Sequence, residues 1–325
     1  MTGIKQAGEK KLMLFSGRAY PELAHAVAKE LRTEITPTVL RDFANGEIYV
    51  RFAESVRGSD AFVIQCHASP INSRIMEQLI MVDALKRASA RRITVVTPFF
   101  GYARQDKKHG GREPISARLM ADLFATAGAD RLMTVDLHTA QIQGFFDGPV
   151  DHLHALPLLA EHVTRHVDTE RLTVVAPDAG RVRVAEKWTD RLGCPLAIIH
   201  KRRNAERPNE VSVHEVVGEV AGRTCVIIDD MIDTGGTVVR ATEALTSRGA
   251  TQVIAAATHG VLSGDAVERL EKADLAQLVI TDTLPTPERF PSGKLVVLSI
   301  APLLARAIGE VFREGSVTSL FEGES

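Results

Sequence analysis

The residues with the clearest chemistry lie in one segment of the C-terminal half. Cys225 to Thr237 reads CVIIDDMIDTGGT, an apolar β-branched run followed by two acids and a loop of Asp, Thr and Gly. Such a run is typical of a buried strand in a parallel sheet, whose carboxyl end faces the ligand crevice. Gly235 and Gly236 let the backbone approach a phosphate, and Thr234 and Thr237 add hydroxyl donors. The segment therefore predicts a site for a sugar phosphate.

The paired acids Asp229 and Asp230 would repel the phosphate itself. We therefore expect these carboxylates to bind neutral sugar hydroxyls or a nearby metal ion. Acids and glycines also occur in ordinary βα turns, which is the simpler interpretation. The combined DDxxDxGGT string favours the binding site.

Polar groups follow two further apolar runs. His138 comes after Leu132 to Val135, and Asp178 and Gly180 come after Leu172 to Val175. An imidazole or a carboxylate at a strand end is suited to a metal ion or a diphosphate. A single histidine there is more often a structural hydrogen-bonding group, and the two interpretations of Asp178 are evenly balanced.

Cations follow the apolar run Leu196 to Ile199, in the sequence HKRRN. The three cations Lys201, Arg202 and Arg203 suit a transferring phosphoryl group, because Lys is a compact point charge and Arg a bidentate fork. A solvated basic run is the alternative interpretation.

Two loops in the N-terminal half combine polar groups with glycine or an aromatic ring. Gly101 to Glu113 carries four Lys and Arg residues and suits a lid that closes over a polyphosphate. Arg41 to Glu47 contains Phe43, which suits an adenine contact. The alternatives are an exposed solvated loop and a core phenylalanine.

Composition narrows the class of protein. The 325 residues are 45% hydrophobic and 25% charged, which predicts a soluble globular protein of about two domains. A net charge of -2 argues against nucleic acid as a partner. The three cysteines are far apart in sequence, so a reducing cytoplasm is expected rather than a disulfide framework or a zinc site. We expect no export signal or membrane span, and no Walker A, dinucleotide-binding or hydrolase-elbow motif occurs.

Ten apolar runs, the seventh of them Cys225 to Ile228, alternate with six amphipathic helical stretches along the chain, which predicts an α/β fold with parallel sheets. The turn-rich DGPVDHLHALP interrupts this alternation. We therefore predict two domains, at residues 1–155 and 156–325.

Seven motifs occur in order: FANGE, YARQDKK, PISARL, DLHTAQIQGFFD, APDAG, HKRRN and DDMIDTGGT. Taken together they resemble class I ribose-phosphate diphosphokinase, over nearly the whole chain. The resemblance implies two phosphoribosyltransferase-like domains, each a mostly parallel sheet flanked by helices. It implies transfer of a diphosphoryl group from ATP to the C1 hydroxyl of ribose 5-phosphate, giving 5-phosphoribosyl 1-diphosphate (PRPP) and AMP, for nucleotide biosynthesis.

The resemblance also implies roles for individual residues. Lys201 and Arg203 are the expected catalytic pair, and His138 and Asp178 the expected Mg²⁺ ligands. ATP contacts are expected from Phe43, Asn45, Gly46, Glu47, Arg104 and Gln105. Ribose 5-phosphate contacts are expected from Arg203, Asp229, Asp233, Thr234, Gly235, Gly236 and Thr237.

Three positions depart from the pattern of many family members, which have Asp at Asn45, Ala at Gly235 and Gly at Arg181. Arg181 places a bulky cation in the expected diphosphate loop. The family also implies a homohexamer activated by inorganic phosphate. Two alternatives stay open: a non-catalytic regulatory subunit of the same family, and a phosphoribosyltransferase.

Overall fold

A computed structural model describes residues 10–202, 213–287, 290–291 and 293–321. The chain divides into two compact units. The first unit contains Met1–His154 together with Ile300–Ser325, and the second contains Ala155–Ser299. The sequence-based division placed residues 300–325 in the second domain, whereas the described part of that segment, residues 300–321, belongs to the first unit.

The first unit is built on a parallel sheet. In chain order its strands are β1 (Leu12–Ser16), β2 (Thr38–Asp42), β3 (Ile48–Phe52), β4 (Asp60–Ile64), β5 (Arg92–Val96), β6 (Arg131–Val135) and β7 (Val150–Leu153). β1, β4, β5, β6 and β7 form one five-stranded sheet in that order, and all of their pairings are parallel. β2 and β3 form a separate antiparallel hairpin. All five residues of β4 are buried, as expected for a strand covered on both faces.

Helices of the first unit begin and end where the sequence supplies suitable residues. They are α1 (Pro21–Glu30), α2 (Ile71–Arg87) and α3 (Ser116–Ala127). Pro21 occupies the first position of α1, where its fixed φ is already helical and its missing N–H costs nothing. Gly128 ends α3 in the left-handed region, with φ of 116°.

The second unit contains a larger sheet. Its helices are α4 (Leu156–His166), α5 (Val182–Leu192), α6 (Gly236–Ser247) and α7 (Ala266–Lys272), and its strands are β8 (Leu172–Ala176), β9 (Leu196–Arg202), β10 (Val213–Val217), β11 (Thr224–Ile232), β12 (Gln252–Gly260), β13 (Gln277–Thr281) and β14 (Leu295–Leu298). The seven strands follow the order β10-β9-β8-β11-β12-β13-β14, and only the β10 to β9 pairing is antiparallel. The chain first builds outward from β8 to β9 and β10, and then returns to the other side of β8 with β11. The crevice between the carboxyl ends of β8 and β11 is therefore a topological switch point, where open α/β sheets bind ligands.

Each unit has its own apolar core. In the first, buried residues of the sheet pack against α2 and α3, with Phe15, Leu85 and Phe124 fully buried. In the second, β11 and β12 pack against α6 through residues such as Ile227 and Leu245. The last helix, α8 (Ala301–Arg313), packs against α1 in the first unit. No helix in the described part of the chain is long and apolar enough to cross a membrane.

The α/β class with mostly parallel sheets is confirmed. All ten apolar runs expected to be strands are strands, and all six expected helices form. Sequence analysis missed β2, β3, β7 and β10 and the helices α4 and α8. It also ended β11 too early, at Ile228. Met231 and Ile232 still pair with β12, so Asp229 and Asp230 lie within the strand rather than after it.

Candidate active site

The tip of the β2–β3 hairpin carries the four residues expected to contact ATP through FANGE. Phe43 is 46% exposed and so is not a core residue. Its N–H donates to the Glu47 carbonyl at 2.8 Å, and the Gly46 N–H donates to the Phe43 carbonyl at 2.8 Å. The Asn45 side-chain oxygen accepts from the Glu47 N–H at 3.2 Å, and Gly46 has φ of 91°. The turn therefore presents an aromatic face, an amide and a carboxylate together.

The orientation of the Phe43 ring is fixed by two neighbours. Tyr49 lies against it edge to face, with ring centroids 6.0 Å apart. The Arg41 guanidinium lies 5.5 Å from the Phe43 ring and 4.7 Å from the Tyr49 ring. These contacts favour a fixed ring position on an exposed hairpin.

Arg104 and Gln105 follow β5 in the loop predicted to be a lid, and both are exposed. The Gln105 side-chain oxygen accepts from Ser116 Oγ at 2.6 Å, and the Gln105 carbonyl accepts from the Ala117 N–H at 3.2 Å. Gln105 is thus fixed to the first turn of α3.

Asp106, which sequence analysis did not identify, joins this loop to the segment after β6. Its buried carboxylate accepts from Thr139 Oγ1 at 2.7 Å and from Gln141 Nε2 at 2.6 Å. Thr139 is next to His138 in sequence. The YARQ and DLHTAQ motifs are therefore connected by direct hydrogen bonds. The signal for this role in the sequence was that Asp106 is part of the YARQDKK motif.

His67 supports the same loop at its first residue, Gly101. Its Nδ1 accepts from the Gly101 N–H at 2.8 Å, so its Nε2 carries the proton and donates to Gln78 Oε1 at 2.9 Å. The ring stacks on Phe124, with centroids 5.9 Å apart. Burial lowers the pKa of His67 to about 4, so the ring is neutral at physiological pH.

Asp136 and His138 lie where β6 ends, and Asp136 has a positive φ of 36°. The Asp136 carboxylate is 3.0 Å from His154 Nδ1, and these two groups form a cluster with His152 whose ligand atoms lie within 4.8 Å of one another. His152 Nε2 already accepts from the Leu137 N–H at 2.9 Å, which removes that lone pair from metal binding. We therefore interpret His152 as a structural group at this strand end.

In the second unit, Asp178 follows β8 and is exposed. Its Oδ1 accepts from the Gly180 N–H at 2.8 Å, which closes a short turn before α5. A carboxylate at the end of a parallel strand is a suitable ligand for Mg²⁺, which prefers oxygen. His138 and Asp178 belong to different units, and each lies at the end of its own strand.

Asp229 and Asp230 lie at the carboxyl end of β11 and share one cation. Arg181 Nε is 2.8 Å from Asp229 Oδ1, and Arg181 also donates through Nη2 to Asp230 Oδ1. The side chains of the three residues are 14%, 18% and 7% exposed in the order Arg181, Asp229, Asp230. Burial and the adjacent Asp230 raise the pKa of Asp229 well above its usual range, while Arg181 opposes that shift.

The turn between β11 and α6 carries the other residues expected to bind ribose 5-phosphate. Gly235 precedes the first turn of α6 with φ of 73°, and Asp233 and Thr234 come just before it. The carbonyls of Asp233 and Thr234 accept from the Ser263 N–H and from Arg269. The first N–H groups of an α-helix have no partners within that helix, so the start of α6 can bind an anion.

Lys201 lies in β9, opposite His214 of β10. It is three residues beyond Ile198, the last β9 residue that pairs with β8. Arg203, the second expected catalytic residue, lies outside the described residues.

Comparisons with known proteins agree with this architecture. The model of the N-terminal domain of ribose phosphate pyrophosphokinase matches residues 12–128, and that of the phosphoribosyl synthetase-associated domain matches residues 205–322. The class is therefore that of the phosphoribosyl synthetases.

Relatives over the full length specify the family. The ribose-phosphate pyrophosphokinase of Streptomyces avermitilis is 66% identical over 322 residues, 99% of each chain. That of Corynebacterium glutamicum is 60% identical over 326 residues, 100% of each chain. The crystal structure of phosphoribosylpyrophosphate synthetase from Mycobacterium smegmatis aligns with a TM-score of 0.89 and 59% identity, covering 94% of this chain and 100% of that one. The chain belongs to the ribose-phosphate pyrophosphokinase family, and the predicted resemblance is confirmed.

Proposed function

We propose that this chain transfers the β,γ-diphosphoryl group of ATP to the C1 hydroxyl of ribose 5-phosphate, giving PRPP and AMP. The observation that carries the proposal is the end of β11. There, two acids that suit sugar hydroxyls are followed within the same motif by a helix N-terminus that suits a phosphate. A ligand with both groups, such as ribose 5-phosphate, matches this arrangement. Identity of 60–66% to full-length ribose-phosphate pyrophosphokinases supports it.

The ribose 5-phosphate residues divide between these two functions. Gly235, Gly236 and Thr237 supply backbone N–H groups and a hydroxyl for the 5-phosphate, with Asp233 and Thr234 shaping the turn. Asp229 accepts hydrogen bonds from the ribose. Arg203 adds a cation for the phosphate. Together, these contacts hold the sugar in a fixed position relative to the sheet before the reaction.

ATP contacts are proposed at two places in the first unit. The Phe43 ring stacks on adenine, while Asn45, Gly46 and Glu47 offer polar groups at the same hairpin tip. Arg104 and Gln105 contact ATP from the loop after β5. The hydrogen bonds of Gln105 to Ser116 and of Asp106 to Thr139 position that loop.

His138 and Asp178 are the proposed Mg²⁺ ligands. The exposed Asp178 carboxylate fits Mg²⁺, since it is an oxygen ligand at the end of a strand. When bound, Mg²⁺ neutralises phosphate charge and orients the phosphate oxygens.

The transfer itself needs no covalent enzyme intermediate. The C1 hydroxyl oxygen forms a bond to the β-phosphorus while the bond from that phosphorus to the α,β-bridging oxygen breaks. The hydroxyl proton is released and AMP leaves. Lys201 and Arg203 neutralise charge on the transferring group, so their contribution is greatest in the transition state.

The first experiment measures AMP release from ATP and Mg²⁺ with and without ribose 5-phosphate, in the presence and absence of inorganic phosphate. We expect AMP and PRPP to depend on ribose 5-phosphate. Lys201→Ala should lower kcat by about 10²-fold or more while ribose 5-phosphate still binds. Lys187→Ala, at an exposed position of α5, is the matched control and should retain activity.

Two outcomes would contradict the proposal. A folded protein that releases no AMP under any of these conditions would favour the regulatory subunit. Consumption of PRPP with a purine or pyrimidine base, without AMP release from ATP, would favour a phosphoribosyltransferase. A Lys201→Ala variant with near-normal kcat would remove Lys201 from the catalytic role.

We further propose that the protein acts in the cytoplasm as a homohexamer and that inorganic phosphate activates it. Cys66, Cys194 and Cys225 all lie within the described residues, where they are buried and form no disulfide bond, which is compatible with a reducing compartment. Sedimentation velocity with and without phosphate tests the assembly.

A further inference from the structure

The side chain of Arg181 contacts two consecutive acids in the second unit. Arg181 lies between the Asp178 turn and α5, at the carboxyl end of β8. Its Nε is 2.8 Å from Asp229 Oδ1, and its Nη2 donates to Asp230 Oδ1. One guanidinium thus bridges the two consecutive acids of β11.

This bridge works against the ordinary geometry of a strand. Consecutive side chains of a β-strand point to opposite faces, so neighbouring acids do not usually meet one partner. Here each Oδ1 also accepts from the next backbone amide: Asp229 from the Asp230 N–H at 2.8 Å, and Asp230 from the Met231 N–H at 2.9 Å. Four donors of the protein therefore hold the two carboxylates: two backbone amides and two guanidinium nitrogens.

We propose that Arg181 is a positioning residue of the ribose 5-phosphate site, which acts on the sugar through Asp229 and Asp230. The inference rests on the proposed function. Because Oδ1 of Asp229 is committed to protein donors, we assign its Oδ2 to a ribose ring hydroxyl. Arg181 fixes the direction of that oxygen and offsets the repulsion between the adjacent acids.

A direct contact between Arg181 and the transferring diphosphoryl group is the competing role. The guanidinium of Arg181 contacts both carboxylates, through Nε to Asp229 at 2.8 Å and through Nη2 to Asp230. These contacts favour the role in ribose binding over a contact with the diphosphoryl group. The two roles predict different kinetic defects. A positioning role weakens ribose 5-phosphate binding, whereas a diphosphate contact changes kcat and the KM for ATP.

The test compares three full-length variants with the wild type by calorimetric titration with ribose 5-phosphate. Arg181→Gln removes the charge, Arg181→Lys keeps a charge without the fork, and Arg183→Gln is the control at an exposed position of α5. We expect Arg181→Gln to weaken binding about tenfold or more, Arg181→Lys to lie between, and Arg183→Gln to stay within about twofold. The fluorescence of Trp188, the single tryptophan and a buried residue of α5, verifies that each variant is folded.

A second titration uses 2-deoxyribose 5-phosphate and a 3-deoxy analogue. If Arg181 acts through a carboxylate on a ring hydroxyl, its removal should matter much less for the analogue that lacks that hydroxyl, about threefold or less. An equal loss for all three sugars would overturn the proposal, and so would unchanged ribose 5-phosphate binding with a raised KM for ATP. If Arg181→Gln does not fold, the same comparison is made with Arg181→Lys.

The proposed function can fail separately. Binding is measured without turnover, so a wild type that binds ribose 5-phosphate in an Arg181-dependent way but releases no AMP would contradict only the proposed reaction. A wild type that does not bind ribose 5-phosphate would overturn the role of Arg181.

Discussion

The two units place their site residues on similar parallel sheets but by different means. In the first unit the five sheet strands follow one another in chain order, and the site residues lie on a hairpin and on loops fixed by neutral donors. In the second unit the strand order reverses between β8 and β11, and acids at that crevice are fixed by a guanidinium. In the second unit the switch point itself brings the polar side chains at the carboxyl ends of β8 and β11 close together. In the described part of the first unit the sheet has no such reversal, and side-chain hydrogen bonds hold its loops in place instead.

The comparison predicts that charge removal is most costly in the second unit. Asp230→Ala leaves the mostly buried Arg181 with one of its two acids, so we expect a loss of about 3–5 kcal/mol in the free energy of unfolding. Trp188 fluorescence during urea unfolding reports this unit. Asp190→Ala, at an exposed position, should cost about 0.5 kcal/mol or less. A similar small loss for Asp230→Ala would mean that the ion pairs do not stabilise the crevice.

The first unit should instead be sensitive to acid through His67. Its pKa in the folded protein is about 4, below the ordinary 6.5, so the unfolded chain binds the proton more tightly. The contribution of His67 to the free energy of unfolding is therefore constant above about pH 6.5. It falls as the pH drops from 6.5 towards 4, by about 3 kcal/mol once the pH is below both pKa values.

The measurement is urea unfolding followed by circular dichroism at several pH values between 7 and 4. His67→Gln retains a side-chain acceptor and donor but does not titrate, so its stability should depend less on pH than that of the wild type. Equal pH dependence in the two proteins would contradict the prediction.

Loss of the Asp106 carboxylate should have an intermediate effect. Asp106→Asn replaces a carboxylate that accepts two hydrogen bonds by an amide. We expect this change to lower the free energy of unfolding by about 2 kcal/mol. Amide hydrogen exchange in residues 139–142 should become faster. The exposed Asp147→Asn serves as the control. Unchanged exchange in residues 139–142 would show that Asp106 does not join the two loops.

The smallest effect is expected at the β11–α6 turn. Gly235→Ala places a Cβ on a residue with φ of 73°, 3.0 Å from Leu270 Cγ. We expect this substitution to lower the free energy of unfolding by about 1–2 kcal/mol. At Gly236 the φ is not positive, and an added Cβ would meet the guanidinium groups of Arg240 and Arg269 at 3.3 Å or more, so Gly236→Ala should lower the free energy of unfolding less. Trp188 fluorescence in urea measures both. Equal losses would mean that the backbone of Gly235 is not the cause.

Local sequence patterns predicted much of this fold because buried parallel strands need long apolar runs. The ten runs such as Ile93 to Thr97 satisfied that condition. β2 and β3 were missed because half-exposed hairpin strands mix polar and apolar residues, as TVLRD and IYVRF do. β10 pairs only at the edge of its sheet, where burial is weaker.

The site residues were predictable as motifs, but their partners were not. Asp229 and Asp230 stand out in the sequence, yet the contact with Arg181 joins positions 49 residues apart. Asp106 likewise depends on Thr139, which is 33 residues away. Such pairings arise from tertiary packing, and nothing in the spacing of the residues specifies them.

The packing of α8 against α1 has a practical consequence for dissecting the protein. Residues at both ends of the described chain belong to one unit, since Lys10 donates to the Phe312 carbonyl. The second unit is thus a continuous insertion within the first. Residues 155–299 form one uninterrupted segment of the chain, whereas a fragment ending at residue 154 would lack α8 and expose the face of α1 that it covers. Joining residue 154 to residue 300 through a short linker is the rational way to isolate the first unit.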